Sequence, residues 1–335
     1  NTVLSACCGE SDLEQGHQIH TDIIFYGIEI QAGIGTGLIG MYNKCGRVEA
    51  ARKEFERQHC KDLALWNIML AGYVQSNMAT KAIQLYLEMV DSKIHPNEFT
   101  LTAVVCACST LANLAQGKEV HIAVVDGGYE TDNGVQNALV HMYSKCGNMI
   151  DAWNLFEKHY NHRDIISWNA MITGYAQHGY GKEALELVHK MHRREMKLDH
   201  ISFIGILTAC NNAGLVNEAV ELFELMQEYY NLSPSTKHYT CMVDAFGRAG
   251  QIEQADNLVT KMPLQPNFIS RRALLSACKN HEKMDLSDHV AKQVLYFEPQ
   301  EAEDFVLLAN IYSANADKDD INSKLVSHTS SGQVT

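Results

Sequence analysis

The chain has 335 residues, more than the ~100–200 of one compact domain, and no linker divides it in two. With 46% apolar and 20% charged residues it has too much apolar surface to stay disordered, and a net charge of −13 excludes a bulk electrostatic grip on nucleic acid. The ten cysteines include no C-x-x-C pair and no Cys/His spacing that would close a tetrahedral site, so the reading assigns no metal and no cofactor and places the chain in a reducing compartment.

Asn1 falls in the middle of a repeat, with no start methionine and no signal or transit peptide, so the N-terminus reads as truncated. The most membrane-like stretch, Ile23 to Tyr42, carries Glu29, Gln31 and five glycines; it reads as two helical pieces and a turn, not a spanning helix. Further along, Lys44-Cys45-Gly46 returns as Lys145-Cys146-Gly147 and Met41-Tyr42 as Met142-Tyr143, each 101 residues on. Trp66-Asn67 returns as Trp168-Asn169, 102 residues on, and Ala6-Cys7 returns as Ala107-Cys108 and Ala209-Cys210. This is a super-period near 101 residues, built of three unlike units.

Each unit reads as two helices. Between Ile165 and Asp199, Trp168, Met171, Ile172 and Tyr175 fall at helical spacing, Gly179 breaks the run, and Ala184, Leu185, Leu187, Val188 and Met191 share a face of a second helix. Pro96, Pro234, Pro266 and Pro299, four of the five prolines, stand at or near unit ends. Cys7, Cys108, Cys210 and Cys278, each just after an alanine, read as small core residues. The expected fold is all-α, an α-solenoid of stacked antiparallel helix-turn-helix repeats whose shared core no hairpin could bury alone.

These residues resemble the pentatricopeptide-repeat family, in its plant subclass of alternating P, L and S motifs. The segment from Trp168, WNAMITGYAQHGYGKEALELVHKM, is similar to a P motif; that from Asn137, NALVHMYSKCGNMIDAWNLF, to an S motif; and that from Ile201, ISFIGILTACNNAGLVNEAVELF, to an L motif. The resemblance implies a right-handed superhelix and this layout: a partial L-type repeat at 1–31, then S-P-L-S-P-L-S over 32–267, opening at residues 32, 63, 98, 133, 165, 200 and 236. An E1-like motif follows at 268–301, with the text RRALLSACKNH, then a partial E2-like motif at 302–320 and a polar tail at 321–335. The tetratricopeptide repeat is the competing hairpin solenoid, but its Trp-Leu-Gly-Tyr signature is absent and an alternation of 31 and 35 residues is foreign to its strict period.

The resemblance implies single-stranded RNA as the partner, not DNA or a membrane. One base is read per repeat, through the fifth and last residues of each P and S unit. Those pairs are Thr36/Asp62, Asn67/Asn97, Asn137/Asp164, Asn169/Asp199 and Thr240/Asn267. Within the family, Thr with Asp implies G, Asn with Asn or Asp a pyrimidine, and Thr with Asn an A. Asn, Asp and Thr are also ordinary helix caps, which accounts for the last residues but not for Asn or Thr recurring at the fifth. Among L units, Thr102/Asp132 is a weak reader and Ile204/Ser235 has no polarity at its first member. Lys44, Lys145 and Arg248, eight residues after the S-unit readers, are phosphate candidates, with Gln75 and Gln177 at that place in the P units. The family holds each base between aliphatic second residues; here these are Gly33, Ala64, Gly134, Ile166 and Lys237, of which only Ile166 suits.

The expected function is therefore a site-recognition factor for C-to-U RNA editing in a plant mitochondrion or chloroplast, with the mitochondrion favoured. Its expected recognition context is G-Y-N-Y-Y-N-A-N-N-N-C. No His-x-Glu or C-x-x-C of a zinc deaminase is present, so the chain is not expected to be an enzyme. The deaminase would come from a separate deaminase-bearing pentatricopeptide-repeat protein or through an organellar editing cofactor. Arg271, where the family has Trp in its E1 motif, departs from that docking pattern. The alternatives are a passive RNA-binding array that stabilises or processes transcripts, and a helical scaffold that binds only proteins.

Overall fold

The computed structural model of the chain describes residues 13–26, 32–158, 164–262, 268–281 and 290. Among these there are sixteen α-helices and no strand. The chain divides into two compact units, Asn1–Gly174 and Tyr175–Thr335. In the first unit, α1 (Leu13–Phe25) precedes the hairpins α2 (Ala32–Lys44) with α3 (Val48–Arg57), α4 (Leu63–Gln75) with α5 (Ala79–Asp91), α6 (Glu98–Thr110) with α7 (Leu114–Asp126), and α8 (Asn133–Lys145) with α9 (Met149–Lys158). Helix α10 (Ile165–Gln177) runs across the boundary. The second unit then holds α11 (Gly181–Arg193), the hairpins α12 (His200–Ala213) with α13 (Val216–Glu228) and α14 (Thr236–Arg248) with α15 (Ile252–Thr260), and α16 (Phe268–Asn280).

Local chemistry sets both ends of each hairpin. First helices open behind a short polar cap: the side chains of Asp62, Asn97, Asp132 and Asp199 accept from the backbone N–H three residues on. They close where the chain turns left-handed, which explains why Lys-Cys-Gly recurs. Gly46 and Gly147 sit at φ 70° and 78°, and the amides after them, Arg47 and Asn148, reach back to the carbonyls of Tyr42 and Tyr143 at 2.8 and 3.0 Å. The stretch from Ile23 to Tyr42 contains the end of α1 and most of α2, and no described helix is long and apolar enough to cross a membrane.

The repeated motifs are packing devices. Trp66 stacks edge-on against Phe55 at 4.8 Å, and Trp168 against Phe156 at 4.9 Å, so each Trp-Asn tryptophan joins its helix to the second helix of the preceding hairpin. Met41 and Met142 lie over Gly16 and Gly117, where an added Cβ would come within 2.7 and 2.4 Å of sulfur. Gly72 lets α4 close on Asn43 of α2, whose amide donates to the Ile68 carbonyl at 2.8 Å; a Cβ there would fall 2.2 Å from Asn43 Oδ1. Cys108, Cys210 and Cys278 are fully buried, and burial pushes their thiols up to about 11, 12 and 11, as core residues require; Cys7 lies outside the described residues. No group of three or more potential metal ligands occurs among the described residues.

Candidate nucleic-acid interface

A first helix starts at each of residues 32, 63, 98, 133, 165, 200, 236 and 268, the positions on which the sequence units open. The fifth residue of a unit therefore lies just over one turn into its first helix. The last residues Asp62, Asn97, Asp132, Asp164, Asp199 and Ser235 stand at the cap of the next first helix. At two of these places the capping side chain also bonds the fifth-position side chain of the preceding first helix.

At α4 this juxtaposition forms a closed network. Asn67 Nδ2 donates to Asn97 Oδ1 at 3.1 Å, and the Thr100 hydroxyl donates to Asn67 Oδ1 at 2.6 Å. The same Asn97 oxygen accepts the Thr100 N–H at 3.1 Å, while the Asn97 N–H donates to the Thr100 hydroxyl at 3.2 Å, a reciprocal capping box. At α8 the arrangement repeats: Asn137 Nδ2 lies 3.2 and 3.0 Å from the two Asp164 oxygens, the Ser167 hydroxyl donates to Asn137 Oδ1, and the Ser167 N–H donates to Asp164 at 3.1 Å. Asn67 and Asn137 are half-buried, whereas Thr100 and Ser167 are fully buried behind them.

The remaining sites differ. Thr36 is half-buried on α2 and Asp62 caps α4 through the Leu65 N–H at 2.9 Å. Asn169 on α10 is 7% exposed, and Asp199 caps α12 through the Ser202 N–H at 2.8 Å; the two fall in different units. Thr240 donates to the Thr236 carbonyl and meets the Ser270 hydroxyl, both at 2.9 Å, while its sequence partner Asn267 lies outside the described residues. In the L units, the Thr102 hydroxyl turns back to the Glu98 carbonyl at 2.7 Å and Asp132 caps α8 at 2.9 Å. Ile204 is half-buried, and Ser235 is engaged by His238 Nδ1 at 2.7 Å. Burial lowers the His238 pKa, which favours the neutral ring, and Nδ1 accepts the Ser235 N–H at 3.1 Å as a capping partner.

Lys44, Lys145 and Arg248 are the last residues of α2, α8 and α14, where cations also complement the helix dipole. All three are exposed, and Arg248 shares its charge with Asp244 at 3.1 Å. Asp244 in turn accepts from Asn211 at 2.5 Å. Two groups of residues escaped the sequence reading. Thr100 and Ser167 sit three residues past a cap, Ser270 is buried beside Thr240, and the pattern Asn/Asp-x-x-Ser/Thr at the unit junctions was the available signal. Phe99 and Ile201, second residues of the L units, are 68% and 59% exposed, beside 61% for Ile166, so solvent-facing apolar groups occur where only P and S units had been considered.

Residues 61–110 and 163–212 match the model described as the PPR repeat family, and residues 137–158, 201–230 and 237–264 match the PPR repeat. A putative pentatricopeptide repeat-containing protein of Arabidopsis thaliana is 37% identical over 304 residues, which cover 91% of this chain and 42% of the relative. A second protein of that name and organism, designated mitochondrial, is 36% identical over 318 residues, covering 95% of the chain and 49% of the relative. The chain thus spans less than half the length of either. Among solved structures, the pentatricopeptide repeat protein PPR10 in complex with an 18-nt psaJ RNA element superposes with a TM-score of 0.73 at 16% identity, over 89% of this chain and 45% of that one. PPR10 from maize gives 0.69 over 95% and 46%. At this identity the likeness concerns the fold, a helical-repeat solenoid.

Proposed function

This chain belongs to the pentatricopeptide repeat family, and we propose that it binds single-stranded RNA sequence-specifically in a plant organelle, without catalysis of its own. The observation that carries this reading is the amide of Asn67 held between Asn97 and Thr100, with its counterpart at Asn137 between Asp164 and Ser167. An amide fixed by one donated and one accepted bond keeps one N–H and one lone pair, the pair of groups needed to meet the Watson–Crick edge of a splayed base. A net charge of −13 leaves little general attraction for phosphate, so affinity has to come from such local contacts. The complex of PPR10 with RNA supports the same use of this architecture.

In finer terms, the chain is a site-recognition factor for C-to-U editing that recruits its deaminase from outside. The order of P, L and S units and the E1- and E2-like text at 268–301 and 302–320 support this; beyond α16 and Val290 that text lies outside the described residues. Relatives designated mitochondrial favour the mitochondrion. Competition binding tests the reading with three RNAs: one carrying G-Y-N-Y-Y-N-A, one with its G and A exchanged, and the first annealed to its complement. The first should bind best, because a duplex has its Watson–Crick edges already paired. Equal affinity for all three would leave a protein-binding scaffold. Sequencing organellar transcripts from a knockout then separates the finer functions, since an editing factor leaves one cytidine unconverted and a passive array does not.

A further inference from the structure

The buried hydroxyls behind the two asparagines do more than a capping box requires. Thr100 has a single hydroxyl proton and two acceptors within reach, Asn67 Oδ1 at 2.6 Å and Asn97 Oδ1 at 2.9 Å. Asn97 Oδ1 already receives the Thr100 N–H and an Asn67 amide hydrogen, so the proton goes to the nearer oxygen, on Asn67. The cap fixes the Asn97 amide because its oxygen must face the helix N–H. Asn97 then fixes Asn67, whose nitrogen must face that oxygen, and Thr100 closes the circuit on the other side. With Asn67 flipped, Oδ1 would oppose Asn97 Oδ1, acceptor against acceptor, and the Thr100 proton would meet an amide nitrogen. At Asn137 the opposing group is the Asp164 carboxylate, which accepts only, and Ser167 takes the place of Thr100.

We propose that Thr100 and Ser167 are positioning residues for base reading: each holds its asparagine amide one way round, so that the N–H and lone pair left for the base stand in a fixed order. Specificity at these places is thus set by three side chains, the third belonging to the next helix. The sequence follows the same rule. All three fifth-position asparagines, Asn67, Asn137 and Asn169, are followed by a hydroxyl three residues after the unit's last residue, Thr100, Ser167 and Ser202; of the threonines, Thr36 and Thr102 are followed there by Leu65 and Val135, and Thr240 by Ser270.

This inference rests on the RNA reading proposed above, and its test separates the two. The full chain is titrated with G-C-U-C-C-U-A and with the same RNA carrying A at its second place, the place of Asn67. The wild-type chain should prefer the pyrimidine. Thr100→Val, which keeps the shape and removes the hydroxyl, should cut that preference by about fivefold, the worth of one neutral hydrogen bond, while Thr100→Ser should retain it. Loss of a purely structural cap would weaken both RNAs equally and leave the ratio unchanged, and that result overturns the inference. Should the Thr100→Val chain fail to fold, Ser167→Ala read at the fourth place decides in the same way. A wild-type chain that binds both RNAs equally would overturn the RNA reading itself, and the inference with it.

Discussion

In the hairpin α4/α5 the fifth residue is Asn67, held by Asn97 on one side and Thr100 on the other. In the next hairpin, α6/α7, the fifth residue is Thr102, whose hydroxyl is given to its own helix at Glu98; the following cap, Asp132, is backed by Val135. The two hairpins share cap geometry and register, yet only the first arranges its polar group through neighbouring helices. On the proposed reading, a polar residue in the right register is therefore insufficient for base contact. What distinguishes the hairpins is whether the group is fixed by partners that leave donor and acceptor free.

The largest expected effect breaks the contrast at its centre. Asn67→Ala should cost about 1–3 kcal/mol against the matched RNA, on the scale of base-edge hydrogen bonds, and Thr102→Ala should leave relative affinities unchanged. Binding of RNAs randomised at the second and third places measures both. Next comes the packing of the same two hairpins. Gly72→Ala should lower stability by roughly 1–2 kcal/mol after its gain in helix propensity, because Asn43 must give up the Ile68 carbonyl. Gly117→Ala meets only the flexible end of Met142 and should cost less than about 1 kcal/mol; urea unfolding compares the two.

Building the missing network should sharpen the contrast from the other side. Thr102→Asn with Val135→Ser, beside the existing Asp132, should create a pyrimidine preference of about 1 kcal/mol at the third place, where Thr102→Asn alone gives less. The smallest effect concerns pH. His121 on α7 meets the Tyr143 hydroxyl at 2.9 Å and burial lowers its pKa below 6.5, whereas α5 has no histidine. The folded chain then binds fewer protons than the unfolded one, so this contribution is present above the unfolded pKa and is lost as pH falls from about 6.5 through the depressed value. Amide exchange in α7, corrected for its intrinsic pH dependence, should quicken on acidification relative to α5.

Much of this was legible before any coordinates. The recurrence of Lys-Cys-Gly and Trp-Asn in one phase marks the repeat, and the Ala-Cys cysteines read as core, whereas the left-handed turn at Gly46 and Gly147 and the seating of each tryptophan on the preceding hairpin emerge only in the structure. The cap role of the last residues was also legible, since Asp and Asn are strong N-caps. The buried third member was not, because Thr100 and Ser167 look like any polar residue in a first turn. Their significance depends on an asparagine about thirty positions earlier being brought beside them by stacking of hairpins. Phe99 and Ile201 escaped for a different reason, namely that second residues were weighed only in the P and S units, although a described second residue faces solvent whatever motif it belongs to.

By itself the sequence determined the periodicity, the helical class and the family, because caps, turn glycines and apolar spacing act over a few residues and repeat. Only the tertiary structure decided which polar groups are fixed and which turn back on their own helix. Hydrogen bonds between hairpins depend on distances of a few ångströms between residues remote in the chain, and no local rule sets those distances. The shorter reach of the Thr100 hydroxyl to Asn67 than to its own cap is a property of the stacked helices, and on the proposed reading it makes a helix cap part of a base-reading site.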